Sequence, residues 1–180
     1  MSRLSKEQWL DHGLHQLAQH GFTVLKADTL AKSLGVSRGS FYWHFKDLGA
    51  FHRAVLAHWY QVTVAAIIQD IETQEVSPHA KLERLIRIAV GSSRSLERAV
   101  RAWSFYEPAV QTTLADVDAK RLEYVTTLLS NMGLDDARAQ AKARVIYCGY
   151  LGQVVLSDDL SQTQQSSIID ELMSIADTQC

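Results

Sequence analysis

A chain of 180 residues, 47% apolar and 21% charged, is long enough for an ample core and ordinary in composition for a globular protein. Its formal charge of −2 gives no bulk electrostatic sign of a nucleic-acid partner, and its two distant cysteines, Cys148 and Cys180, rule out a disulfide-stapled framework. Two prolines, nine glycines and short β-branched runs favour an all-α fold, and no run reaches the ~18 apolar residues that a membrane span needs. The opening from Met1 to Gln8 is polar, without the apolar core of a secretory signal. Free thiols and a cytoplasmic location are the expectation.

The first predicted helix runs from Ser5 to His20, with Trp9, Leu10, Leu14, Leu17 and Ala18 on one face. Ser5 and Gln8 fit a capping box, and Gly21 ends the helix. A second helix carries Leu30, Ala31 and Leu34. Gly35 follows where a helix C-terminus favours a left-handed residue, and Ser37 is an N-cap candidate for the next helix. That helix, Arg38 to Phe45, ends in four aromatics and a histidine over its last five residues. Phe41 and Phe45 share one face and are expected to be buried. Tyr42, Trp43 and His44 then point elsewhere. A short helix with an apolar back and a polar-aromatic front, set after a small-residue turn, is what a helix-turn-helix presents to a DNA major groove.

Asp47 is the expected cap of a long helix from about Leu48 to Gln74, with Phe51, Val55, Trp59, Val62, Ala66 and Ile71 inward. Ser77 and Pro78 open a helix with Leu82, Leu85, Ile86 and Ala89, interrupted at Gly91. Leu96, Ala99, Val100 and Trp103 define the next, which stops before Pro108. A long helix follows from Pro108 to Asn131, closed by Gly133. Asp135 caps a helix to about Leu156, and Ser161 begins the last.

The stretch LAKSLGVSRGSFYWHFKD, with the His-Gly-Phe upstream of it, resembles the N-terminal domain of the tetracycline-repressor (TetR) family of transcriptional regulators. The resemblance covers roughly residues 5–55 and rests on Leu30-Ala31, Gly35-Val36-Ser37, Gly39 and Phe41-Tyr42-x-His44-Phe45. The rest of the chain shares with the family its all-helical pattern and length. The charge distribution agrees. Residues 1–55 hold seven basic and four acidic side chains, a net +3, whereas the remainder holds eleven basic and sixteen acidic, a net −5. The resemblance departs at two places. Leu48 stands where the family usually has a phosphate-binding lysine, with Lys46 as a possible substitute. Ala27 stands where a serine or threonine often caps, which passes that role to Asp28 or Thr29 or loses it.

An N-terminal helix-turn-helix domain over residues 1–47 and a helical ligand-binding and dimerisation domain over residues 48–180 follow from this reading. DNA contacts are expected from Lys26, Thr29, Ser37, Arg38, Gly39, Ser40, Tyr42, Trp43, His44 and Lys46. Arg38 suits a guanine edge or a phosphate, and Gly39 permits close backbone approach. The N-terminal Arg3 and Lys6 are further phosphate candidates. The resemblance implies a small-molecule pocket, for which His58, Trp59, Trp103, Phe105 and Tyr106 are candidates unless they are core aromatics at helical spacing. It also implies a homodimer. Small residues through 135–156 (Ala137, Ala139, Ala141, Ala143, Gly149, Gly152) with Tyr147, Tyr150, Val154, Ile168, Leu172 and Ile175 suit a helical interface or ordinary intrachain packing. His12, His15 and His20 complete no metal-ligand set, and His52 and His58 are isolated. No metal, no cofactor and no membrane partner is expected.

The resemblance implies a repressor on a palindromic operator of double-stranded DNA, released by a small-molecule effector. No paired nucleophile and base and no phosphate-binding glycine loop point to an enzyme, which stands as the alternative together with an effector-independent DNA binder.

Overall fold

Ser5 accepts from the Gln8 amide while the Gln8 side chain accepts from the Ser5 amide, so the expected capping box starts helix α1 (Lys6–His20). The computed structural model describes residues 4–156 and 160–177, so the expectations for Arg3 and Cys180 lie outside the described residues. Gly21 ends α1 at φ 76°, and a turn of 3-10 helix (Phe22–Val24) leads to α2 (Ala27–Ser33). Lys26 occupies the cap position of α2 without a side-chain hydrogen bond, so neither Asp28 nor Thr29 takes over the capping role. Gly35 is left-handed at φ 66°. Its amide donates to the Lys32 carbonyl (3.2 Å) and the Val36 amide to the Ala31 carbonyl (3.0 Å), the paired bonds of a Schellman turn. Helix α3 is shorter than expected. It spans Arg38–Tyr42 and continues to Phe45 only as a turn closed by the Phe41 carbonyl. Ser37 stands at its cap, but its hydroxyl makes no capping bond.

Asp47 caps α4 (Leu48–Tyr60) by accepting from the Ala50 amide at 2.7 Å. The long helix then differs from a uniform one. Gln61–Ala65 form a π-helical turn before α5 (Ala66–Glu72). Its extra residue shifts the inward face from a step of four to a step of five. Trp59 and, five residues on, Val64 are buried, whereas Val62, expected inward, is 41% exposed and Ala66 is also exposed.

The chain packs as two units. The first comprises residues 1–63 together with 95–115, so the packing boundary is not the functional one drawn at residue 48. Helix α7 (Ser95–Ser104) packs against α1, with Val100 and Trp103 buried. The second unit comprises residues 64–94 and 116–180. It contains α5, α6 (Pro78–Gly91), most of α8 (Pro108–Asn131), α9 (Asp136–Val155) and α10 (Gln162–Ala176). Ser77, Asp135 and Ser161 cap α6, α9 and α10 as their sequence positions suggest. Leu82, Ile86, Leu129, Ile146, Ile169 and Leu172 are part of one core cluster. The all-α expectation holds: the regular elements among the described residues are all helices, with no strand among them.

The small residues of α9 have two uses. Ala139 and Ala143 are fully buried in the chain's own core, and a Cβ on Gly149 would stand 2.8 Å from Leu172 Cδ2. The inward alanines and Gly149 therefore let α10 approach. Ala139, Ala143, Tyr147, Val154 and Leu172, expected at a subunit interface, are buried within the chain, and Tyr150, Ile168 and Ile175 are half-buried.

Gly13 serves the first unit in the same way. A Cβ there would lie 2.9 Å from Phe51 Cζ and 3.2 Å from a Val55 methyl. Gly13→Ala should lower stability by about 1–3 kcal/mol through overpacking, against a helix-propensity gain of about 1 kcal/mol. Urea unfolding would show a lower midpoint, and an unchanged or raised midpoint would contradict this packing.

Candidate nucleic-acid interface

Phe41 anchors the recognition helix. Its side chain is fully buried, edge-on to Trp9 (5.5 Å, 83°) and Phe51 (5.2 Å, 60°) and close to Phe45 (5.1 Å). Burying such a ring contributes up to about 3 kcal/mol, and each well-oriented aromatic pair adds about 0.5–1.5 kcal/mol. Phe45 is also buried, with Lys6 Nζ 5.8 Å from its ring centre. Pinning both phenylalanines leaves Tyr42 46% and Trp43 74% exposed, the arrangement their spacing suggests. Lys26, Thr29, Ser37, Arg38, Gly39 and Lys46 are exposed as well, and Ser40 is half-buried.

Arg38 is ordered on this surface. Its Nε lies 3.2 Å from Asp28 Oδ1 of α2, its Nη2 donates to the Tyr42 hydroxyl at 3.1 Å, and its guanidinium sits 5.5 Å from the Tyr42 ring centre. The Tyr42 hydrogen bond and then the Asp28 charge hold the guanidinium above its ordinary pKa. The Tyr42 hydroxyl, used here as acceptor, retains its own hydrogen for donation. Asp28 is a member of this surface that sequence reasoning treated only as a cap. The signal for it was a lone carboxylate in the most basic part of the chain.

His44 departs from the expectation. It is half-buried, and its Nε2 lies 2.8 Å from the Leu4 carbonyl. A carbonyl only accepts, so that nitrogen carries the hydrogen and holds the entry of α1 rather than a phosphate. Leu48, in the place of the family's usual lysine, is 36% exposed and uncharged. Lys46 remains the nearest exposed cation before it.

The five pocket candidates differ in their surroundings and exposure. His58 Nε2 pairs with Asp11 Oδ1 at 2.6 Å, and Trp59 is buried. Trp103 is buried too, stacked on Phe22 (6.2 Å, 3°) and edge-on to His52 (5.0 Å, 87°), with its Nε1 donating to Glu107 at 2.9 Å. Phe105 and Tyr106 instead project outward, 88% and 74% exposed, because α7 ends before them. The second unit holds a polar cluster that the sequence did not announce. Buried Tyr147 donates to Asp118 at 2.6 Å and accepts from Arg121 at 3.5 Å, and Arg121 lies 5.7 Å from the Tyr150 ring centre. Burial, foremost, raises the Tyr147 pKa. The hydroxyl end of Tyr147 thus serves an intrachain network.

His12 Nε2 bonds Ser33 Oγ at 2.7 Å, and desolvation followed by the neighbouring His15 lowers its pKa. Among the described residues no group of three or more histidine, cysteine or carboxylate side chains is placed to hold a metal ion, and no helix is long and apolar enough to cross a membrane.

Two short helices across a Schellman turn, pinned from behind by α1 and α4 and bearing cationic and aromatic side chains outward, define a helix-turn-helix DNA-binding domain. Residues 10–48 match the family described as bacterial regulatory proteins, tetR family. A TetR/AcrR-family transcriptional regulator superposes with a TM-score of 0.82 at 22% identity, over 96% of this chain and 98% of that one. NemR of E. coli in its reduced form gives 0.80 at 19% identity, over 97% and 99%. A TetR transcriptional regulator from Legionella pneumophila gives 0.77 at 16%, over 97% of both chains. At these identities the likeness is one of fold. No curated protein matches the sequence.

Gly39 separates contact from folding. Its φ is not left-handed, and a Cβ there would meet only Ser37 Oγ at 3.7 Å, ordinary contact distance. Gly39→Ala should therefore leave the thermal midpoint within about 2 °C, while weakening operator binding about tenfold through lost backbone approach. A melt and a DNA titration on the same preparation test this. Equal affinity would remove Gly39 from the interface.

Proposed function

We propose that the protein is a homodimeric transcriptional repressor that reads a palindromic operator with α3 and leaves it when a small-molecule effector binds. The outward set of Arg38, Gly39, Tyr42 and Trp43, held by buried Phe41, carries the DNA-reading part. Lys26, Thr29, Ser37 and Lys46 on the same exposed surface supply phosphate and sugar contacts that set register. One short helix reads only a few base pairs, so two copies on a two-fold site supply the specificity that one lacks.

The outward face of α9 suits the second copy. Ala141, Val145, Cys148, Gly152 and Val155 recur at spacings of four and three and are all exposed. Val145 is 53%, Val155 74% and the adjoining Leu156 57% exposed. A stripe of small and apolar residues at this period packs helix against helix. The effector acts by preferring the conformation that does not fit DNA, with the helix from Leu48 through Glu72 transmitting the change. About 100-fold weaker operator binding requires about 2.7 kcal/mol of such preference.

Genomic DNA selection with purified protein at fixed salt, wild type against Tyr42→Ala, tests the reading. The wild type should enrich a palindrome, and Tyr42→Ala should bind it about ten- to a hundred-fold more weakly. A selected sequence indifferent to Tyr42 would remove α3 from the groove. Val145→Glu should convert the dimer to monomer in sedimentation while the helical circular dichroism persists. A dimer that survives this charge lies elsewhere on the surface.

A further inference from the structure

We propose that Arg38 is a guanine reader rather than a phosphate anchor, and that Asp28 is the residue that makes it one. This rests on the operator reading proposed above and names the base contact within it. A guanidinium has two hydrogen-bonding edges. The side edge is formed by Nε and Nη2, and the end edge by one hydrogen each from Nη1 and Nη2. Asp28 Oδ1 lies 3.2 Å from Nε as an ion-pair partner, and the Tyr42 hydroxyl takes a hydrogen of Nη2 at 3.1 Å. Both partners lie on the Nε and Nη2 side of the guanidinium, so the two hydrogens of Nη1 and one of Nη2 are the donors left to face outward. Both partners sit on rigid elements, Asp28 in the first turn of α2 and Tyr42 at the end of α3.

Charge decides between the two possible targets. Arg38 and Asp28 together are neutral, so the pair offers little net attraction to a phosphate. A phosphate on the end edge would also stand within one guanidinium width of the Asp28 carboxylate and be repelled by it. A guanine edge carries no net charge and presents two acceptors, O6 and N7, to a planar two-donor fork. Adenine presents one acceptor and one donor there, and cytosine a donor, so neither matches both hydrogens. Asp28 is thus a positioning residue. It orders the fork and withholds it from the backbone of nonspecific DNA.

The experiment is DNA selection at fixed salt with wild type, Arg38→Lys, Arg38→Ala and Asp28→Ala, each checked for an unchanged melting curve. The wild-type site should hold one guanine per half-site whose preference falls about tenfold or more in both Arg38 variants, the rest of the motif persisting. Arg38→Lys keeps the charge and loses the fork, so its loss of preference separates base reading from phosphate attraction. Asp28→Ala should relax the same position. It should also steepen the salt dependence of nonspecific binding by about one unit, since the freed guanidinium then engages phosphate. An Arg38→Ala protein that binds every sequence more weakly with its base preferences intact would make Arg38 a phosphate contact and overturn the assignment. An Asp28→Ala protein with the guanine preference and salt slope of the wild type would remove Asp28 from it. A wild type that selects no sequence would sink the operator reading itself, and the fork with it.

Discussion

The burial of Phe41 against Trp9, Phe45 and Phe51 is the contact on which the DNA-reading surface depends. Helix α3 has only five residues, too few to persist alone, since isolated helices are marginal below about a dozen residues. Tertiary contacts must supply its stability. The aromatic cluster ties it to α1 through Trp9 and to α4 through Phe51, and the absence of a side chain at Gly13 makes room for the Phe51 ring. His44 adds a polar tie to the Leu4 carbonyl. With the back of the helix immobilised, Arg38 and Tyr42 are presented at fixed positions, which is the preorganisation a base contact needs.

The same unit recruits a segment that is remote in the chain. Residues 95–115 return to pack with the N-terminal helices, bringing Trp103 against Phe22 and His52. Glu107 receives the Trp103 indole hydrogen and lies 3.8 Å from His52 Nδ1, while His52 Nε2 bonds the Leu25 carbonyl just before α2. The DNA-binding unit is thus larger than its helix-turn-helix. Its far border is joined to the approach to α2 by one aromatic and hydrogen-bonded cluster.

Helix α9 shows how one pattern of small residues serves two packing tasks. Ala139, Ala143 and Gly149 turn inward and admit α10, whereas Ala141, Gly152 and their valine neighbours turn outward. The inward set is consumed by the chain's own core. Composition alone does not separate the two faces, because each is small and apolar. Only the neighbours of each position do.

What the sequence determined by itself is what depends on neighbours within a few residues. Ser5, Asp47, Ser77, Asp135 and Ser161 cap as their positions indicate, because a side-chain oxygen reaches an amide three residues on. Gly35 adopts the left-handed turn that its lack of a Cβ allows, and the i, i+4 spacing of Phe41 and Phe45 foretells which aromatics are buried. The tertiary structure decided whatever joins distant parts of the chain. Asp28 with Arg38, Leu4 with His44 and Phe22 with Trp103 are pairings across ten, forty and eighty-one positions, and no local period encodes them. The π-helical turn at Gln61–Ala65 belongs here as well. It re-aims Val64 into a core built by other helices, and a uniform helical period, by construction, places Val62 there instead.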